Sequence, residues 1–276
     1  MTPEGFFPTL LDYCGRGKVA LLQAYFDESE RRNGLLCVAG YVFSAPQAKH
    51  FSKEFGAVFG CYGGFHMVDL VARKGGFKRI SEADRDRLIK KAVDITKKRF
   101  SYGVAVTVNI AEYEAQAPRF IRGFRSAYSF LCHLAMTSVP RILKKHNDHG
   151  PVHYVFEAGH ANKGEAEFLV NQMSTTEETR NFYFYSGHSF LPKQDAVPLQ
   201  AADLLAWESA KFKDESVDGF RDIRKSLQAL FEVDTSRYSV SFCGGEELKR
   251  TLDKYRAMGY DQIREGQSGK IKKQIK

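Results

Sequence analysis

The chain has 276 residues, with 41 Lys and Arg against 33 Asp and Glu, a net charge of +8. At 43% hydrophobic and 27% charged it can bury a substantial core, and its 8 prolines are few; these figures exclude a disordered chain and a Pro-rich or collagen-like architecture. No apolar run approaches the roughly 20 residues of a bilayer span, and the N-terminus carries Glu4 without the basic-then-apolar block of a secretory signal, so neither membrane nor export is predicted.

In chain order, residues 21–26 read as a β-strand ending at the acidic run DESE, 27–30. Asn33-Gly34 marks a turn, and 35–44 is a second apolar run, so a hairpin is predicted. Ala45-Pro46 opens a helix in which Phe51, Phe55, Val58 and Phe59 recur at helical spacing, and the glycines within 60–64 break it. Ser81 with Asp84 has the form of a capping box. It opens a helix with Leu88, Ile89, Ala92, Val93 and Ile95 on one face. Residues 102–110 predict a strand, 120–146 a long helix that Pro140 should kink or split, and 152–156 a strand entering Glu157. A helix over 165–173 and a short strand over 182–185 follow. Pro198 then opens a helix through Leu199, Ala202, Leu205, Ala206 and Ala210, with further helices at 220–231 and 246–258. The alternation predicts an α/β fold, a mixed β-sheet flanked by helices.

The +8 is unevenly spread. Residues 73–99 carry eleven basic and four acidic side chains, a net +7. Residues 119–146 carry Arg119, Arg122, Arg125, Arg141, Lys144 and Lys145 without an acid, and the tail 264–276 is net +4. Together these segments hold +17, which leaves −9 for the remainder. Basic segments of this kind attract a phosphate backbone by counterion release, although lysines and arginines also solvate helix faces without any partner.

Three acids interrupt apolar elements: Asp27 at the end of the first strand, Glu157 at the end of the strand HYVF, and Asp203 among alanines on the packing face of a helix. Strand ends on one sheet edge converge, and an acid on a packing face is costly unless something satisfies it. A Mg²⁺ or Mn²⁺ ion held by Asp27, Glu157 and Asp203 would do so, with hard oxygen ligands suited to phosphoryl transfer. The alternative for each is local: a turn acid, a cap, or an acid nearer solvent. Glu28 points to the other sheet face if the strand continues but could ligate from the turn, and Asp195 is a reserve ligand. Lys193 could meet phosphate as a point charge, and His66 and His160 are candidates for proton transfer or phosphate contact.

The runs YFDESE, LLCVAGYVF, FHMVDL, VFEAG and VPLQAADLLAW resemble the bacterial family called domain of unknown function 3800, over residues 21–212. The resemblance implies a ribonuclease-H-like core with acids on the first strand, the fourth strand and a late helix, positions that Asp27, Glu157 and Asp203 match. It also implies a histidine after the second strand, matched by His66. Where the family has Asp-Glu-Ser-Gly this chain has Glu30 in place of Gly. The expected division is a lead-in (1–20), the ribonuclease-H-like core (21–212) with a helical insertion at about 46–100, and a helical C-terminal extension with a basic tail (213–276). The expected function is a metal-dependent nuclease or related phosphoryl-transfer enzyme acting on nucleic acid, in bacterial defence or mobile-element biology. The alternative is a catalytically degraded module of the same fold that binds nucleic acid or a protein partner.

Other motifs are weaker. Gly15-Arg16-Gly17-Lys18 lacks the Walker spacing, Gly187-His188-Ser189 lacks the second Gly of a nucleophile elbow, and Tyr183 and Tyr185 suit a core as well as base stacking. His146, His149 and His153 straddle a turn and have no Cys beside them, a poor zinc pattern. The five cysteines, Cys14, Cys37, Cys61, Cys132 and Cys243, are odd in number and scattered, which predicts a reducing cytoplasm rather than a disulfide framework.

Overall fold

A computed structural model describes residues 21–117, 123–216, 223–232 and 234–257. The Gly15–Lys18 motif, Cys14, Arg119, Arg122 and the basic tail lie outside these residues. Six strands form one mixed sheet: β1 (Leu22–Glu30), β2 (Leu35–Ser44), β3 (Tyr102–Asn109), β4 (Val152–Glu157), β5 (Tyr185–Leu191) and β6 (Tyr238–Cys243), in the order β5-β4-β1-β2-β3-β6. The hairpin expected from Asn33-Gly34 makes β1 antiparallel to β2, and β3 continues that meander. β4 and β5 add in parallel on the β1 side, and β6 in parallel beside β3. The fold is α/β, a mixed sheet flanked by helices, as the alternation predicted.

Between β2 and β3 lie α1 (Ala45–Phe59), α2 (Met67–Ala72) and α3 (Glu82–Arg99). The Ser81–Asp84 capping box forms as read: Ser81 Oγ accepts the Asp84 N–H, and the Asp84 carboxylate accepts the Ser81 N–H. Next come α4 (Ile110–Gln116), α5 (Ala127–Lys145), α6 (Lys163–Met173), α7 (Glu177–Phe182), α8 (Pro198–Ser216), α9 (Lys225–Phe231) and α10 (Gly245–Ala257). Strand residues of alternate parity point to opposite faces. Leu22, Ala24 and Phe26 of β1 pack with Tyr128, Leu131 and Ala135 of α5, whereas Tyr25 faces the side covered by α8 and α1–α3. Among the described residues no single helix is long and apolar enough to cross a membrane.

Several elements depart from the sequence reading. β1 runs through Asp27 to Glu30, because β2 continues to pair with it as far as Leu36 opposite Glu30. Asp27 therefore sits within the strand, and Glu30 is its last residue. Pro140 stands inside α5 without ending it. Residues 182–184 are not in a strand. Phe182 ends α7, Phe184 takes a left-handed turn (φ 49°), and β5 begins at Tyr185. The region after 214, read as helical, also supplies β6.

A buried histidine sets a pH limit on this fold. His133 of α5 is 2% exposed, with Nε2 3.0 Å from the Tyr183 hydroxyl. Burial, reinforced by Arg141, lowers its pKa from 6.5 to about 3. The unfolded chain takes up this proton near pH 6.5 and the folded chain does not until about 3, so acid favours unfolding across that window. The group should remove about 1.4 kcal/mol of stability per pH unit there. Urea melts at stepped pH should show a shallower acid limb for His133→Gln than for the wild type.

Candidate metal centre

The β1–β4 register ends at Phe26 opposite Phe156. The next residues, Asp27 and Glu157, stand where the two strands part, on the sheet face toward α8. Glu28 points to the opposite face, as expected. At the end of the ladder the two faces meet, however, and ligand atoms of Asp27, Glu28 and Glu157 all lie within 4.8 Å of one another. Asp27 is 2% exposed, and Glu28 Oε2 is buried without a hydrogen-bond partner among the described residues. Glu157 keeps one oxygen turned to the Gly159 N–H.

Asp203 enters from α8, where Leu199, Ala201, Ala202 and Ala206 bring the helix close to the sheet. It does not join the three-carboxylate group directly. Its Oδ2 accepts the Met67 N–H at 2.6 Å, and its Oδ1 faces Lys193 Nζ at 3.1 Å and His66 Nε2 at 3.7 Å. Lys193 Nζ lies 2.7 Å from Asp27 Oδ2, so the ammonium bridges Asp27 and Asp203. Lys193, expected to meet phosphate, thus occupies the middle of the acid site.

Gln200 was not singled out in the sequence, although it lies in the same QAAD motif as Asp203 and on the same helical face. Its Oε1 accepts the Phe65 N–H at 2.9 Å, and its Nε2 donates to the Lys193 carbonyl at 3.2 Å. Gln200 and Asp203, three apart, therefore clamp the backbone of Phe65 and Met67. Gly64 precedes them with φ +108°, and a Cβ there would meet the Gln200 side chain at 3.4 Å. This clamp holds His66 beside the acids, with Nδ1 3.3 Å from Asp69 Oδ2.

His160 is held differently. Its ring stacks on Tyr128 at 3.8 Å, and Nδ1 accepts the Asn162 N–H. A neutral His160 therefore carries its proton on Nε2. Burial lowers its pKa and outweighs the opposing charge of Glu157. Asp195 is exposed, its N–H donating to the Pro192 carbonyl, and it stands outside the three-carboxylate group. His146, His149 and His153 do not assemble a site: His146 meets the Ser236 carbonyl, His149 the Phe184 ring, and His153 the Ser189 hydroxyl. A cleft of about 400 Å³ lies toward the Leu22 end of the sheet, lined by Lys98, Arg99, Tyr102, His146 and Arg237 among others, and none of the predicted acids lines it.

The electrostatics follow from crowding negative charge in a dry place. Burial raises Asp27 well above the usual carboxylate range; Lys193 opposes this, and Asp203 and Glu28 add to it. Burial and then the charge of Glu157 push Glu28 up to about 7. For Lys193, burial favours the neutral amine, but Asp203 and Asp27 together overcome it and hold the ammonium above the usual lysine range. Two of the four carboxylates, Asp27 and Asp203, share one monovalent cation. Glu28 Oε2, buried without a hydrogen-bond donor among the described residues, lies with Asp27 and Glu157 in one group whose hard oxygens fit a divalent ion.

No family model and no curated protein matches the chain. Three solved structures follow a similar chain path. One is a chain of the PCNA:RNase HII complex from Archaeoglobus fulgidus, with TM-score 0.34 and 14% identity, covering 91% of this chain and 98% of that one. The others are a glutamine-to-alanine mutant of Bst-RNase HIII (TM-score 0.37, 12% identity, 78% and 65% coverage) and Bst-RNase HIII in complex with Mn²⁺ (TM-score 0.35, 12% identity, 75% and 64% coverage). This chain thus spans just under two thirds of the two RNase HIII chains. Likeness at this level concerns chain path alone. The topology of this chain, a three-stranded antiparallel meander with parallel strands added beside β1 and β3, is the mixed sheet flanked by helices that the sequence predicted, and it is consistent with a ribonuclease-H-like fold.

Proposed function

We propose that the protein is a metal-dependent nuclease or related phosphoryl-transfer enzyme acting on nucleic acid. The observation that carries this reading is the convergence of Asp27, Glu28 and Glu157 within 4.8 Å, with Asp203 facing Asp27 across Lys193. Asp27, Glu157 and Glu28 would hold Mg²⁺ or Mn²⁺, with Asp203 closing the site from α8. A bound divalent ion would supply the charge that activates water and stabilises the leaving oxygen of a phosphodiester. The chain's own groups orient and protonate. His66, fixed by the clamped backbone beside it, faces Asp203, and the Nε2 proton of His160 is available to a phosphate or leaving oxygen. Arg73, Lys74, Lys78 and Arg79 are exposed just beyond α2, whose start carries His66, and would track a phosphate backbone beside the acids.

The direct test is purified protein with Mn²⁺ and labelled DNA and RNA. Wild type should cut at least one substrate, and an Asp27→Asn/Asp203→Asn double variant should not. Equal behaviour of the two proteins would defeat the assignment.

One observation favours a second reading, a catalytically degraded module that binds nucleic acid or a protein partner. The Lys193 ammonium already neutralises part of the acid site. Calorimetric titration with Mn²⁺ separates the two: no uptake at micromolar to millimolar ion favours the module.

A further inference from the structure

We propose that the Lys193 ammonium is a resident cation which a divalent ion must displace, so that Lys193 sets the threshold for loading the acid site. The inference rests on the metal-site reading above.

Lys193 lies on the link between β5 and α8, and its side chain is 23% exposed. Its ammonium is shared by the two most deeply buried acids of the site, Asp27 at 2% and Asp203 at 3% exposure. Those carboxylates arrive from opposite sides, one from a strand and one from a helix. Without a cation between them, their repulsion would oppose packing of α8 on β1. The ammonium therefore does a structural job in the metal-free protein.

The same geometry sets it in competition with a metal for the same oxygens. The ammonium sits 2.7 Å from an Asp27 oxygen and 3.1 Å from an Asp203 oxygen. A divalent ion draws carboxylate oxygens to about 2.0–2.6 Å, so it would compete with the ammonium for the Asp27 and Asp203 oxygens that face it. The charge balance also favours exchange, because a divalent ion offsets the crowding of four carboxyl groups better than one ammonium does. Glu28 Oε2 is still without a donor when Lys193 is in place, so the lysine does not complete the site.

The anchoring of Lys193 suits displacement. Its carbonyl is held by Gln200 Nε2, and Gln200 is itself bound to the Phe65 N–H, so the backbone is pinned at this point. The four-carbon side chain is rotatable. On displacement the ammonium swings on a fixed tether and stays near the acids, where it can meet a phosphate oxygen as a point charge.

The test is calorimetric titration of MnCl₂ into wild-type protein and Lys193→Met, which keeps the length and removes the charge. The variant should bind Mn²⁺ at least about tenfold more tightly, because no internal cation has to leave. Equal or weaker binding by the variant overturns the proposal and leaves the metal site standing; no Mn²⁺ binding by either protein overturns both. A second measurement needs only wild type, should Lys193→Met fold poorly. Acetylation by an N-hydroxysuccinimide ester, read by peptide mass spectrometry, should find Lys193 protected without metal and reactive at saturating Mg²⁺. Protection unchanged by Mg²⁺ overturns the proposal.

Discussion

An Asp27→Asn variant should lose Mn²⁺ affinity by about 100-fold or more, since even the loss of an outer partner to a metal ligand costs 10–100-fold. Its thermal stability should be unchanged or higher. The two halves of this expectation have one cause. Asp27 is nearly fully buried, and its carboxyl is raised well above the ordinary range by burial, with Asp203 and Glu28 adding to the effect of burial against the pull of Lys193. The metal-free fold therefore penalises the charge that a metal site requires. Asn keeps the shape, removes one of four crowded negative charges, and leaves Lys193 its contact with Asp203. Stability stored against function in this way is common at active sites. Calorimetry with MnCl₂ gives the affinity and circular dichroism melting gives the stability. A large fall in melting temperature alongside the lost affinity would mean that the Asp27–Lys193 pair is a structural anchor first.

How much of this was legible depends on the range of the interaction. The hairpin, the Ser81–Asp84 cap and the packing face of α8 could be read because each is decided within a few residues, by a turn, a cap or a helical period. Asp27, Glu157 and Asp203 were legible as acids out of place. What they touch was not: the partners of Asp203 are the Met67 amide and a lysine that also belongs to Asp27. Glu28 was assigned to the other face, yet its carboxylate lies within 4.8 Å of those of Asp27 and Glu157 just beyond the last β1–β4 pair, a proximity that no local pattern contains. β6 was missed because its outward residues are half-exposed and its pairing with β3 spans a long sequence separation. β5 was misplaced because every residue in it is half-buried and Gly187 interrupts it, so it lacks the alternation that marks a strand.

Gly40→Ala should be the most damaging single-methyl change among the glycines of the sheet, and it should reach the site through β1. Gly40 stands in β2 opposite Phe26. A Cβ there would fall 1.7 Å from the Tyr25 carbonyl oxygen, 2.7 Å from its carbonyl carbon and 2.9 Å from Phe26 Cδ1. The first two are backbone atoms of a central strand and cannot rotate away. Relief requires β1 to move from β2, which breaks ladder hydrogen bonds between two central strands. The cost should be about 4 kcal/mol or more, in the range reserved for named structural failures. For a chain of this length that is a fall of roughly 8 °C or more in melting temperature. Gly56→Ala is the matched control: Gly56 lies within α1 with nothing within 4 Å of the added methyl, so the substitution should stabilise by about 0.5–1 kcal/mol. The displaced residues, Tyr25 and Phe26, immediately precede Asp27, and Phe26 is the last residue of β1 to pair with β4. Any Gly40→Ala protein that still folds should therefore bind Mn²⁺ more weakly than wild type, because shifting this stretch of β1 separates Asp27 from Glu157. Gly56→Ala should bind it equally well. Undiminished Mn²⁺ affinity in a folded Gly40→Ala protein would mean that the β1–β2 spacing does not set the carboxylate geometry.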